Sequence, residues 1–278
     1  MTSTSTTLSP AEIQQFNDHG YVFVRGAFAS DDALAMQDEW WAELTATHGV
    51  RRGERATWRQ PRGDLKQAKK SPIQAMMATA KVLGVIDDLL GAGAWPMPRH
   101  WGRVLTTFPE AGDWFLPTEL WHSDSPPDWH RDALNGVFVA SFIGEVAPGG
   151  GGTLIVSGSH RLLKEHDASL TPDERRSAIR QRIERFYRSH PWLMMLSGRA
   201  PSPPDRIGAF MDVATEVGGV PARVVELTGE PGDMVFAHPT IVHSVAPNRG
   251  TQPRFMRIAQ VITHRCLAYR TGKARPPA

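Results

Sequence analysis

Two pairs of the form His-x-Asp lie close together in this chain, His122-Ser-Asp124 and His130-Arg-Asp132. On an extended strand residues i and i+2 share a face, so either pair can present one imidazole and one carboxylate to a single metal ion. A second imidazole from elsewhere completes a 2-His-1-carboxylate set, which suits non-haem Fe(II) and leaves coordination positions open for reactants. His238 and His243, in Gly232-Asp-Met-Val-Phe-Ala-His-Pro-Thr-Ile-Val-His243, are the candidates for it. They are five residues apart, so in one regular strand only one of them faces the pair. Context favours His122 and Asp124. Leu120-Trp121-His122 ends a strand-like run, and Ser125-Pro126-Pro127 then takes the chain off the sheet into a loop, where functional groups concentrate. His130 and Trp129 would border the substrate side, and His160 reads as a structural, hydrogen-bonding histidine.

Arg254 follows His243 across the turn Pro247-Asn248-Arg249-Gly250. A hairpin centred there sets the two roughly level on neighbouring antiparallel strands. An arginine so placed can clasp a carboxylate with two parallel hydrogen bonds. Arg257 reads as a surface arginine instead. Thr153 and Arg103, from their places on strand-like segments, are candidates for further contacts to the same carboxylate-bearing molecule.

The elements that must position these groups are marked along the chain. Ser9-Pro10-Ala11-Glu12 and Thr171-Pro172-Asp173-Glu174 are capping boxes with proline at the first helical position, and Ser71-Pro72-Ile73-Gln74 reads the same way. The spacing predicts helices from Pro10 to Gly20, over 31–47, and from Ser71 to Gly91. Tyr21-Val-Phe-Val reads as a short strand. From about residue 99 the pattern changes to short strands and turns, with strands expected at 99–108, 119–124, 137–146, 153–156, 223–227, 234–238, 240–245 and 255–263. Helices first and short strands afterwards suit an antiparallel barrel or jelly roll braced by helices on one side. The chain is expected to be one domain over 1–278, mostly helical over 1–98, with a β core over 99–265. That core is interrupted by an insertion at about 171–219, which is expected to close over a bound substrate with Trp192, Met194, Met195 and Phe210.

"WHSD", "APGGGGTLIVSGSHR" and "PGDMVFAHPTIVHSVAPNRGTQPRF", with a weaker echo at "FNDHGYVFVRGAF", together resemble the phytanoyl-CoA dioxygenase-like branch of the Fe(II)/2-oxoglutarate oxygenases. The resemblance spans most of the chain. It implies a double-stranded β-helix of the cupin-like, jelly-roll kind. It also implies Fe(II) held by His122, Asp124 and His243, with 2-oxoglutarate and O2 as co-substrates and the distal carboxylate of 2-oxoglutarate held by Arg254. It picks His243 over His238, which would then pack outside the barrel. Related halogenases have Gly or Ala in place of the carboxylate ligand, so Asp124 points to hydroxylation or a related oxidation of a small organic molecule.

Composition bounds the alternatives. With 41% hydrophobic and 22% charged residues the chain is an ordinary globular sequence, long enough for a large core. Its one cysteine, Cys266, excludes an intramolecular disulfide and fits a reducing compartment. With no apolar run near membrane-spanning length and no signal-like N-terminus, the expected location is cytoplasmic, without a membrane partner. Residues 51 to 70 carry eight Lys/Arg against Glu54 and Asp64, although the whole chain is only +2. Such a run with Trp58 could serve an oxygenase acting on nucleic acid, but a solvated, mobile loop is the preferred reading. A cupin-like metal protein with non-oxidative or no chemistry is the other alternative.

Overall fold

The computed structural model describes residues 6–59 and 65–275. The first helix, α1 (Pro10–His19), begins at the expected box: the Ser9 side chain accepts from the Glu12 amide while the Glu12 carboxylate accepts from Ser9 N–H at 2.8 Å. It ends at Gly20, which takes the left-handed conformation at φ +81°. Strand β1 (Tyr21–Val24), α2 (Ser30–His48) and α3 (Lys66–Lys70) follow. The single helix expected from Ser71 to Gly91 is two elements, a 3-10 turn at Pro72–Met77 and α4 (Ala80–Leu90). Thr79 makes the break by capping a second start, accepting from Val82 N–H and donating to the Ala27 carbonyl. Gln74 is likewise diverted from its expected capping role, and its side-chain oxygen accepts from Trp101 N–H and from Arg257.

The remaining elements are β2 (Arg103–Thr107), β3 (Gly136–Phe142), β4 (Thr153–Ser157), α5 (Ser159–Ser169), α6 (Pro172–Arg176), α7 (Ile179–Arg188), α8 (Pro191–Leu196), β5 (Thr215–Val217), β6 (Val220–Glu226), β7 (Met234–Ala237), β8 (His243–Val245), β9 (Arg254–Ile262) and α9 (His264–Arg270). The strands form two antiparallel sheets of order β1-β7-β3-β9-β2 and β5-β6-β4-β8, the mainly antiparallel jelly-roll architecture expected. Directly paired residues share a face. The pairs Phe138↔Ala237, Phe142↔Met256 and Thr107↔Arg254 therefore put these side chains on one face of the first sheet, towards Ile155 of the second. The opposite face, with Val139, Phe236 and Phe255, is covered by Met36, Trp40 and Leu44 of α2 and Val82 and Ile86 of α4. Both faces of β3 are buried, which is why it reads as an unbroken apolar run without alternation.

Arg257 corrects the sequence reading. It is 0% exposed and lies on the outer face of β9 under the helices, where the carbonyls of Trp101, Ala68 and Lys69 and the Gln74 side chain accept from it. Burial lowers its pKa to about 10, so the charge persists at neutral pH. Hydrogen bonds to a charged group contribute about 1.5–3 kcal/mol each, enough to offset its burial and tie β9 to α3.

The insertion also departs from expectation. It braces the back of the second sheet: Trp192 and Phe210 stack edge-on at 5.1 Å within a buried cluster that includes Leu154, Val156, Phe186 and Leu193. They are thus unavailable to cover a substrate. The basic stretch is partly ordered too. Arg51 pairs with Glu54, Arg52 with Asp38, Arg59 donates to the His48 carbonyl, and Trp58 packs against Trp41 and Phe108. Residues 60–64, including Arg62 and Asp64, lie outside the described residues. Arg51, Arg52 and Arg59 are thus engaged within the chain. No helix among the described residues is long and apolar enough to cross a membrane.

Candidate functional site

His122 belongs to no regular strand. It forms an isolated bridge with His243, each amide donating to the other's carbonyl at 3.0 and 2.8 Å, and the two rings lie 4.2 Å apart. Trp121, buried against the second sheet and hydrogen-bonded to the Pro117 carbonyl, anchors the approach. Each ring is then oriented by a backbone carbonyl two residues back: His122 Nδ1 donates to Leu120 O at 2.7 Å and His243 Nδ1 to Ile241 O at 3.1 Å. With its proton held at Nδ1, each imidazole keeps its lone pair at Nε2, the usual arrangement of a metal-binding histidine.

The two Nε2 atoms converge on Asp124, 3.7 Å from Oδ1 and 3.7 Å from Oδ2 respectively. That is too long for a hydrogen bond and leaves room for a cation between them. The three ligand atoms lie within 4.8 Å of one another, and no other His/Cys/Asp/Glu group among the described residues meets this spacing. Burial, chiefly, and the neighbouring His122 lower the His243 pKa, with Asp124 opposing them. The ring is thereby kept neutral, as a metal ligand must be.

Leu120 carries a signal that sequence reasoning missed. It is the one described non-glycine residue with positive φ, +61°, and its side chain projects outwards, the residue being 72% exposed. A left-handed leucine costs roughly 1–2 kcal/mol; here that conformation turns the carbonyl onto His122 Nδ1. Nothing in the residue type points to it, since glycine or asparagine would be expected at such a position.

The turn at Pro247–Gly250 makes no hairpin between neighbouring strands: β8 pairs with β4 in the second sheet and β9 with β3 and β2 in the first, so Arg254 faces the centre from the opposite sheet. It stands on the inner face, 3% exposed, with Nη2 donating to Thr107 Oγ1 at 2.8 Å. Its Nε and Nη1 are buried without a hydrogen-bond partner. Burial brings its pKa down to about 10, with Glu226 opposing the shift, so the guanidinium remains charged. Glu226 itself accepts from Gly149 and Gly152 N–H. Two unused donors on a buried guanidinium are costly unless a ligand takes them, and they suit a carboxylate. Thr153 lies on the inner face, buried, paired with Val245 beside the His243↔Ile155 pair. Arg103 lies at the other end of β2 from Thr107, paired with Ile258 and exposed to solvent.

The competing pair is otherwise engaged. His130 donates from Nε2 to Ser125 Oγ at 2.7 Å and accepts Asn135 N–H at Nδ1 at 3.2 Å, while Asp132 pairs with Arg265 at 3.1 Å. His238 lies beyond the end of β7, so it and His243 share no strand; the turn that returns Ile241 N–H to the His238 carbonyl separates them. Its ring packs with those of His160 and His130 at 5.0 and 5.7 Å. His160 donates to the Asn17 carbonyl at 3.0 Å, a structural bond.

Burial holds the pKa of His130 and of His160 at about 4, and lowers that of His238 well below 6.5. The folded pKa lies below the unfolded one, so the folded state binds fewer protons. The stability contributed by this cluster is therefore complete only well above pH 6.5 and is lost as pH falls towards 4, by about 2 kcal/mol at pH 5 for each of His130 and His160. A clear drop in Tm between about pH 7.5 and about pH 5 is expected, reduced in His160→Gln, which can keep the Asn17 contact. Identical melting at both pH values would contradict it.

A hollow of about 280 Å³ beside the centre is lined by His122, Ser123, Ile179, Arg180, Ile183, Glu184 and Arg199. The insertion thus reaches the site through α7, and not through the apolar groups expected from the sequence.

The sequence profile of phytanoyl-CoA dioxygenase (PhyH) matches residues 7–256. Comparison with curated protein sequences yields no significant match. Among solved structures the chain is similar to EctD from S. alaskensis with bound Fe, with a TM-score of 0.54 and 17% identity over 95% of this chain and 79% of that one. It is similar to AviO1 from Streptomyces viridochromogenes Tue57, with a TM-score of 0.53 and 16% identity over 94% and 97% of the two chains. It is also similar to HygX from Streptomyces hygroscopicus with nickel and 2-oxoglutarate bound, with a TM-score of 0.53 and 15% identity over 92% and 88%. At these identities the likenesses bear on the fold.

Proposed function

The chain belongs to the phytanoyl-CoA dioxygenase family of 2-oxoglutarate-dependent, non-haem iron oxygenases, and from that premise we propose that it oxidises an unactivated C–H bond of a small organic molecule while 2-oxoglutarate is decarboxylated to succinate. Hydroxylation is the favoured outcome, with residues 1–278 acting as one oxygenase domain. The observation that carries this reading is the convergence of two Nε2 atoms on the two oxygens of Asp124, with the unused donors of Arg254 on the inner face of the adjoining sheet.

His122, Asp124 and His243 would hold Fe(II), which when bound supplies the activation of O2 needed for C–H oxidation. The carbonyls of Leu120 and Ile241 hold the protons at Nδ1 and keep both rings turned to the metal side. Arg254 would take the distal carboxylate of 2-oxoglutarate through its unused donors, with Thr107 fixing the guanidinium. Thr153 and Arg103 remain candidates for further contacts to it. Phe138, whose ring lies 5.2 Å from that of His243, walls the centre with apolar surface and restricts water.

The test is succinate release from 2-oxoglutarate by the purified protein, with and without Fe(II) and O2, across a panel of small organic molecules. Release that needs both and is stimulated by one class of molecule supports the reading. A protein that binds metal yet never consumes 2-oxoglutarate would be the non-oxidative alternative.

A further inference from the structure

A cavity of about 340 Å³ lies between α1, the turn at Pro127–His130, α5 and the β7–β8 connection, and none of His122, Asp124 or His243 lines it. Its wall includes His130, His160 and His238, and the hydrogen bonds define the tautomer of each. His130 receives Asn135 N–H at Nδ1, so its proton is at Nε2, donated to Ser125. The proton of His160 is also at Nε2, committed to the Asn17 carbonyl. His238 receives Thr240 N–H at Nδ1, at 3.2 Å, and because that N–H leaves no room for a proton on Nδ1, the Thr240 hydroxyl, 2.8 Å from the same nitrogen, donates to it too. Neutral His238 therefore carries its proton at Nε2 as well, and among the described residues that N–H has no acceptor.

The charges lining the cavity are unbalanced in the same sense. Its two carboxylates are already taken: Asp132 by Arg265, and Asp167 by both Arg131 and Arg182. Arg161 and Lys164, three residues apart and so neighbours on α5, have no carboxylate within ion-pair distance among the described residues. Phe16 and Leu134 supply apolar wall. Apart from the lone pair at His160 Nδ1, the cavity thus offers two cations and one neutral donor that have no acceptor among the described residues, beside a surface that can hold a carbon skeleton.

We propose that this cavity binds a small molecule through an oxyanion, a carboxylate or a phosphate, received by His238 Nε2–H, Arg161 and Lys164. The site is separate from the metal centre but joined to it by short stretches of chain. Ser125, which accepts from His130, follows Asp124, and Thr240 lies on the connection that leads to His243.

The experiment is calorimetric titration of the Fe(II)-loaded enzyme, kept anaerobic and saturated with 2-oxoglutarate so that Arg254 is engaged. One arm uses inorganic phosphate and the other phenylacetate, which separates a phosphate ligand from a carboxylate one. Saturable 1:1 binding of at least one probe is expected. Arg161→Ala/Lys164→Ala should weaken it by about tenfold or more, as loss of charge-assisted hydrogen bonds does, and His238→Phe should weaken it with the ring packing kept. The 2-oxoglutarate affinity should not change in either variant. The double variant alters only solvent-contacting side chains of α5, so it remains informative should His238→Phe fold poorly. Absence of binding by both probes, or equal binding by wild type and the double variant, overturns the proposal. The readout is binding and not turnover, so its outcome is independent of whether the enzyme oxidises a C–H bond.

Discussion

Alanine in place of His122, Asp124 or His243 should abolish 2-oxoglutarate turnover and weaken Fe(II) binding, with the circular dichroism spectrum unchanged. The bridge that joins His122 to His243 is made of backbone groups, so removing either imidazole leaves it in place. His122 and Asp124 also keep 52% and 30% side-chain exposure, and their truncation opens no core cavity. Losing only an outer hydrogen-bond partner of a metal ligand typically costs about 10–100-fold in affinity or activity, and loss of a ligand itself should exceed that. Activity in His122→Ala together with an inactive His130→Ala would transfer the centre to the other pair, against the engagement of both His130 nitrogens.

Arg254→Ala should raise the KM for 2-oxoglutarate by about 10- to 150-fold, the equivalent of the roughly 1.5–3 kcal/mol that hydrogen bonds to a charged group contribute. The KM for the primary substrate should move far less. Stability should hardly fall, because two of the guanidinium's donors are unsatisfied in the protein alone and their removal relieves a desolvation cost. An unchanged KM for 2-oxoglutarate would remove Arg254 from this role. Arg257 could not inherit it, since it lies on the opposite face of β9, with its donors given to the Trp101, Ala68 and Lys69 carbonyls.

The elements legible in the sequence are those whose causes are local. Ser9 with Glu12 and Thr171 with Glu174 make reciprocal caps three residues apart, and such bonds form whatever the rest of the chain does. The strands expected from apolar runs between Gly/Pro turns lie close to where they were placed, except near the centre. There 119–124 yields only the bridge at His122, and 240–245 is shortened to His243–Val245. Metal-binding chemistry needs particular residue types, so the two His-x-Asp pairs and the later histidines could be found as candidates. The family resemblance then chose among them.

What the sequence by itself determined is therefore the inventory: the capped helices, the antiparallel jelly-roll strands, and a short set of candidate residues for holding Fe(II) and a carboxylate. Tertiary structure alone decided how that inventory is spent. It buried Arg257 through a bond to Gln74 across 183 residues of sequence, turned Trp192 and Phe210 into the back of a sheet, and gathered His130, His160 and His238 around a cavity with Arg161 and Lys164 in its wall. It also forced Leu120 into a left-handed conformation that its side chain disfavours. Each of these outcomes depends on which surfaces meet after the two sheets close on one another. Residue type and local spacing carry propensity and periodicity, but not the identity of the partner that arrives from far along the chain.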